Sequence, residues 1–472
     1  MRSADAGPPE PVRVLSPAED TEIEESERLP VTIVDTDPST AAESAAQSAD
    51  AVAGAVETTD KIASHLHPAG SFDVADHPRP TGREEVWRFT PLKRVQSLFE
   101  ALPTDDGALD VAVSVPEGVE AGTLAPGEGV RGSVLTPTDG PAANASAGTP
   151  DGLHLRIPAE HEATAPLTVT LTGQGAGRRS NAHTVIEAGA FSKATVVLRH
   201  VGSGVHTGNV EVVVGDGAQL TVVSIQDWAD DAVHTGQHEA SVGRDASYKH
   251  VVVSFGGDLV RLHSNVSYAG PGAQSEMFGL YFADAGQHLE HRLFVDHNAP
   301  RTRSDVDYRG ALQGRGAHTV WIGDVLIRKA GEGIETYESN RNLVLTDGCR
   351  ADSVPNLEIE TGEIAGAGHA STTGRFDDEQ LFYLRSRGID EAEARRLVVH
   401  GFFADIIRKV GVPEVEAQLL EAVEAELAVN VGIPLGTGST DLPTPGLDGT
   451  GSADGAPSPV HDETATEAGR IG

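Results

Sequence analysis

Five times between residues 190 and 317 the chain repeats one device: a turn holding Gly or Asp, a small residue, then a run of apolar alternation. Ala190, Ala218, Ala246, Ala273 and Ala317 head these runs, in steps of 28, 28, 27 and 44 residues. A period of roughly 20–50 residues marks an array in which each unit buries its apolar face only against its neighbours. Each unit here is strand and turn, with no helix-length segment between. That pattern predicts stacked β-coils, a right-handed parallel β-helix with rungs about 4.8 Å apart. A β-sandwich is the alternative arrangement of the same strands. Aromatic residues make up 4% of the chain, so the core has to be built from Val, Ile, Leu and Ala, and the 53 Gly and 27 Pro supply the turns.

The repeat predicts a mainly β core over 108–375, flanked by helical segments. Residues 1–38 are acidic and Pro-rich and read as a disordered tail. Residues 39–107 read as an N-terminal helical region. Within it, Thr81 and Glu84 have capping-box spacing, and Leu92–Leu102 is amphipathic. Residues 376–432 read as a C-terminal helical domain. Asp390 opens one helix there, carrying Leu397, Val398, Phe402, Ile406 and Val410. Gly411 and Pro413 separate it from another with Leu419, Leu420, Val423 and Leu427. Residues 433–472, rich in Gly, Thr, Pro and Asp, read as a second disordered tail.

The net charge of −36 argues against nucleic-acid binding, which needs a basic surface. Residues 1–60 carry 14 acids and 3 bases, and residues 433–472 carry 6 and 1, so the tails supply −16 and the remainder −20. Such acidity favours solubility. A single cysteine excludes an internal disulfide. No apolar run approaches the ~18 residues of a membrane span. With no apolar signal region at the N-terminus, the expected compartment is the cytoplasm.

Three constellations could carry chemistry. Cys349 follows Asp-Gly, where Ala218 also follows Asp-Gly. It is either a small packed residue or a thiolate for sulfur transfer or metal ligation. His369 lies among Gly, Ala and Thr, with few large side chains to cover it. His288, Glu290, His291, Asp296 and His297 form the densest His/acid cluster and are weak metal candidates. On a strand His288 and Glu290 share one face while His291 lies on the other. If a turn of the helix takes 20–28 residues, Cys349 and His369, 20 apart, could meet on adjacent rungs. No P-loop and no Gly-x-Ser-x-Gly elbow occurs.

The segment around Cys349 and Pro355, the stretch around His369, the run from Phe376 to Ile389, and the Glu84–Leu92 run with Trp87 together resemble the SufB/SufD family of the SUF iron–sulfur assembly system. The matching motifs span about 82–430 and look most like the SufD-type chains. The resemblance implies a β-helix scaffold subunit without enzymatic activity of its own. It implies pairing with a SufB-like chain through the β-helix and docking of a SufC-like ATPase on residues 376–431. In that setting His369 and Cys349 are the interface candidates for cluster assembly. Ala370 stands where SufB-type chains carry a Glu after the histidine, which separates this chain from that branch. Clusters usually need about four ligands, mostly thiolates. One cysteine therefore implies no cluster held tightly by this chain alone, and at most a transient cluster or iron shared with a partner. The alternatives are a SufB-type scaffold and a carbohydrate-active β-helix enzyme using Asp305 and Asp307, two apart and so on one strand face.

Overall fold

The computed structural model describes residues 70–101, 103–375 and 378–430; the expected tails and all of residues 39–69 lie outside them. Its centre is a parallel β-solenoid. The strands are β1 (Leu109–Ser114), β2 (Glu120–Leu124), β3 (Gly152–Ile157), β4 (Leu167–Ala188), β5 (Lys193–Val214), β6 (Gln219–Trp228), β7 (Val233–Val242), β8 (Ser247–Ser254), β9 (Leu259–Tyr268), β10 (Gln274–Ala283), β11 (His288–His297), β12 (Arg303–Leu312), β13 (His318–Ile327), β14 (Glu335–Val344), β15 (Arg350–Ile359) and β16 (Gly366–Arg375). Two ladders run side by side. One stacks the first halves of β4 and β5 with β6, β8, β10, β12, β14 and β16. The other stacks β3, the second halves of β4 and β5, then β7, β9, β11, β13 and β15.

The register explains the repeat. Lys193, Gln219, Ser247, Gln274, Arg303, Glu335 and Gly366 lie one above another, in steps of 26, 28, 27, 29, 32 and 31 residues. Each turn of the solenoid is two strands and two corners. Ala218, Ala246 and Ala273 precede strands of one ladder and Ala317 precedes a strand of the other. The anomalous 44-residue step is thus about one and a half turns, from one corner column to the opposite one. All four alanines are buried, because the corner Cβ points inward against the rung beside it. The fifth member needs correction: Lys193 pairs with Gln219, so Ser192 stands beside Ala218, and Ala190 lies two residues outside the column.

Alternation along each strand sends one set of side chains into the lumen and the other outward. The lumen carries the main core, from Leu155 to Ile334, in which Val, Leu and Ala are joined by Tyr248, Tyr268, Tyr281, Tyr308 and Trp321. Each outer face is covered by a different part of the chain. Over the ladder of β9 and β11 lies the N-terminal segment, where Trp87 stacks 3.8 Å from the guanidinium of Arg261 and Thr90 donates to Glu290 at 2.7 Å. Glu290 also receives Arg261 Nε at 3.1 Å, and the buried guanidinium holds this carboxyl well below the usual range. The helix α1 (Gly140–Ala147), capped by Asp139, joins this layer, since Asp139 also takes Arg261 Nη1 at 3.1 Å. The amphipathic stretch from Leu92 forms only two short turns, Leu92–Val95 and Gln96–Phe99, enough to bury Val95 and Leu98. Only half of the capping box forms: the Glu84 carboxylate takes the N–H of Thr81 at 2.9 Å and precedes a 3-10 turn.

Over the other ladder lie α2 (Asp378–Ser386), α3 (Glu391–Arg408) and α4 (Pro413–Asn430), whose apolar face meets Val223, Val251, Phe278, Leu280 and Phe282. Asp390 caps α3 by accepting from the N–H of Glu393 at 3.0 Å and Gly411 takes φ of +74° at its end, as the sequence predicts, while Gly388 takes φ of +87° at the break before it. The buried face of α3 is Ala394, Val399, Phe403, Ile406 and Ile407. Leu397 is exposed and Val398 and Phe402 are half-buried, because the stripe that meets the sheet is rotated from the one expected. Among the described residues no helix is long and apolar enough to cross a membrane.

Candidate functional site at the open end of the solenoid

The two ends of the solenoid differ. At the first rungs β1 pairs antiparallel with β4 and β2 antiparallel with β3, so short strands blunt the ladder there. At the last rung, among the described residues, β15 pairs only with β13 and β16 only with β14. Both outer edges therefore offer unpaired backbone N–H and C=O groups. The residues of the last rung that face the lumen, among them Ala351, Ser353, Leu357 and Ala367, are half-buried where their counterparts one rung back are covered.

His369 lies at this mouth. It is the fourth residue of β16 and stands directly over Glu338 of β14. Its Nδ1 is 3.9 Å from Glu338 Oε1, with the imidazole 43% and the carboxyl 2% exposed. Gly323 makes room for that carboxyl, since a Cβ there would collide with Glu338 Oε2. Glu338 Oε1 has no hydrogen-bond partner among the described residues. Burial, with Asp324 nearby, pushes the carboxyl up to about 8. The pair is a buried carboxyl able to ionise when positive charge arrives, beneath an imidazole open to a partner. Beside it a polar lattice fixes the lumen wall: Tyr281 donates to Asn342 at 2.8 Å, Asn340 donates to Tyr281 at 2.9 Å, and Ser353 donates to Asn340 at 2.6 Å.

Cys349 is elsewhere. It precedes β15 at the corner shared with Ala317, one rung on, rather than in the column of Ala218. The thiol is half-buried against the core and donates to the carbonyl of Gly314 at 3.3 Å, with Thr346 Oγ1 at 3.5 Å. Burial raises its pKa, and Asp284 and Asp347 add to that, so the protonated thiol is favoured. His369 is six positions along β16 from Arg375, where the strand reaches that corner, or roughly 20 Å at ~3.3 Å per residue. Cys349 and His369 therefore do not form one site within this chain.

The other histidine candidates are also apart. His288 faces outward, bonded to Glu290 at 3.1 Å and to His318 at 3.1 Å, and His318 continues to Asp352 at 2.7 Å. His291 points into the lumen between Tyr281 and Tyr308, with ring centroids 5.0 and 5.9 Å away, and burial lowers it to about 3. His297 is held by Thr302 and Ser304 at 2.7 and 3.0 Å and stacks on Tyr268. The strand alternation expected of His288, Glu290 and His291 is what the structure has, and it is why they do not converge. Asp305 and Asp307 do share a face. Asp307, however, is taken by Lys409 Nζ at 2.9 Å and Ser339 Oγ at 2.9 Å under α3, so the two do not work as a free carboxylate pair.

Residues 170–402 match the family model described as the SUF system FeS cluster assembly, SufBD core domain. The chain is 51% identical over 365 residues to an iron–sulfur cluster assembly SufBD family protein of Mycobacterium tuberculosis strain H37Rv, covering 76% of this chain and 92% of that protein. The chain belongs to the SufBD family. A SufBD family protein of Mycobacterium leprae is 50% identical over 365 residues, again 76% of this chain and 93% of that one. The same organism has a second, more distant SufBD family protein, 27% identical over 227 residues, which are 48% of this chain and 26% of that protein. The family model covers the repeats, β14 to β16 and most of α3, so the open end described above is part of the SufBD core. Glu338 is the residue that sequence reasoning missed. It lies 31 positions before His369, one turn of the solenoid, and projecting that period back from His369 would have found it.

Proposed function

We propose that this protein is the SufD-type subunit of a SUF scaffold complex in the cytoplasm, pairing through the open end of its solenoid with a SufB-type chain. The observation that carries this reading is the half-covered last rung, with two unpaired parallel edges and the Glu338–His369 pair at its mouth. An exposed edge is a template for strand pairing and has to be covered in a soluble assembly. A partner that continues the ladder would bury His369 and bring its own ligands to it. The lone thiol, held protonated, supports a role in which iron or a nascent cluster is shared cargo rather than resident. That M. leprae has two distinct SufBD family proteins agrees with a pair of unlike subunits. The helical domain supports ATPase docking on 376–431: among the described residues, Phe382 is 75% and Tyr383 56% exposed on α2, large apolar groups left uncovered there. Ala370 after His369 supports the SufD rather than the SufB type.

Co-expression with SufB- and SufC-type partners tests the assignment. Leu357→Lys on the edge strand β15 is expected to lose the SufB-type chain and keep the ATPase. Phe382→Glu with Tyr383→Glu is expected to do the reverse. Wild-type recovery of both partners by both variants would refute the docking assignments. His369→Ala should leave the complex assembled and abolish cluster delivery to an apo-ferredoxin.

A further inference from the structure

Three histidines in the first turns of the solenoid have no part in the reading above. His200 lies on the first half of β5, His206 on its second half and His234 on β7, and all three are buried in the lumen. Ring centroids are 5.1 Å apart for His200 and His234, 5.0 Å for His206 and His234, and 6.1 Å for His200 and His206. One ring nitrogen from each can be chosen so that all lie within 4.8 Å of one another. The indole of Trp228 stands 5.4–5.5 Å from every ring and closes one side.

The outer nitrogens are anchored. Ser180 Oγ is 2.8 Å from Nδ1 of His206, Trp228 Nε1 donates to Nδ1 of His234 at 2.9 Å, and Nδ1 of His200 is 3.3 Å from the carbonyl of Ile225. Two inner nitrogens are not: Nε2 of His206 and Nε2 of His234 are buried without a hydrogen-bond partner among the described residues. Both turn toward one gap, which a glycine leaves open. A Cβ on Gly208 would stand 2.9 Å from the first and 3.7 Å from the second. Leaving one buried polar nitrogen unpaired is costly, and two that face the same gap call for an occupant.

We propose that His200, His206 and His234 form a three-nitrogen site for a transition-metal ion of the zinc class. An all-imidazole donor set suits zinc and its neighbours and is unsuited to magnesium or calcium, which take oxygen. A ligating histidine usually donates its other ring N–H, and Ile225 O and Ser180 Oγ offer the acceptors for Nδ1 of His200 and His206. Because Nδ1 of His234 accepts from Trp228, its Nε2 carries the ring proton. On binding, that proton passes to Nδ1, Trp228 Nε1 keeps its bond to Gln226 Oε1 at 3.0 Å, and the freed Nε2 lone pair takes the metal, so His234 ligates as a neutral ring with no net proton released. The site joins β5 to β7 and so staples the first turns of the solenoid. It lies six rungs from His369, roughly 29 Å at ~4.8 Å per rung, and is independent of the reading of that end. The 28 residues between His206 and His234 are one turn, which is why they meet.

The test uses the full chain, stripped with a chelator and dialysed against Zn2+ or, as a spectroscopic probe, Co2+. The expected result is one tightly held equivalent and visible Co2+ bands of a low-symmetry nitrogen site. Gly208→Ala, which fills the gap and keeps every imidazole, should weaken binding at least tenfold. The double variant His206→Gln with His234→Gln should abolish it. Wild type that holds no more ion than the double variant would overturn the proposal. So would Gly208→Ala that loads and absorbs like wild type, a comparison that stands even if the double variant does not fold.

Discussion

Glu338 gives the sharpest quantitative expectation. Its carboxyl is 2% exposed, has an oxygen without a partner among the described residues, and titrates near 8 against an ordinary value of 4.5. The folded state therefore prefers the protonated form. The stability this proton provides is fully present below about 4.5 and is lost as pH rises through about 8. At ~1.36 kcal/mol per unit, the loss between pH 5 and pH 9 comes to about 4 kcal/mol as a ceiling, since water entering the open mouth would lower it. Glu338→Gln keeps the shape and removes the titration. Hydrogen exchange of the β14 and β16 amides, compared between wild type and variant at each pH, reads the opening of these end rungs directly. At pH 5 the two should differ little. By pH 9 the variant should be better protected, by up to about a thousandfold, because ~1.4 kcal/mol is a factor of ten. Equal protection at pH 5 and pH 9 alike would refute the claim that this carboxyl is held neutral by burial.

Replacing Glu290 with Gln takes from the buried Arg261 guanidinium one of its two carboxylate partners, Asp139 remaining, and should cost about 1.5–3 kcal/mol in urea unfolding. Ala317→Leu at a fully buried corner should cost about 1–3 kcal/mol by overpacking, again read in urea. Cys349 should react with an aromatic disulfide reagent at least tenfold more slowly in the folded chain than in urea at pH 8, and equal rates would contradict the half-buried thiol. Tyr281→Phe, which removes the hydroxyl linking Asn340 and Asn342, should cost about 1–2 kcal/mol and loosen the last rungs in hydrogen exchange.

Much of the architecture was legible because a solenoid writes itself into sequence. Each rung must solve the same corner, so Ala218, Ala246, Ala273 and Ala317 recur where a larger side chain would not fit. The irregular step misled only because two corner columns were read as one. The Trp87 motif was visible as a motif. Its purpose, a ring laid on Arg261 above the Glu290 carboxylate, was not, because the partners are about 170–200 residues away. Helix α3 was foreseen from its cap and breaks, while its buried face was set by the outer side chains of β10 and β12 that it had to meet.

Residue order alone determined that the chain would stack strands and where its corners fall. Which side chains meet was decided by the winding. Rungs of 26–32 residues bring Glu338 under His369 and His234 beside His206. They leave Cys349 and His369 roughly 20 Å apart despite a separation of only 20 positions. The physical reason is that strand pairing fixes register by backbone hydrogen bonds, so proximity follows the turn length and not the distance along the chain.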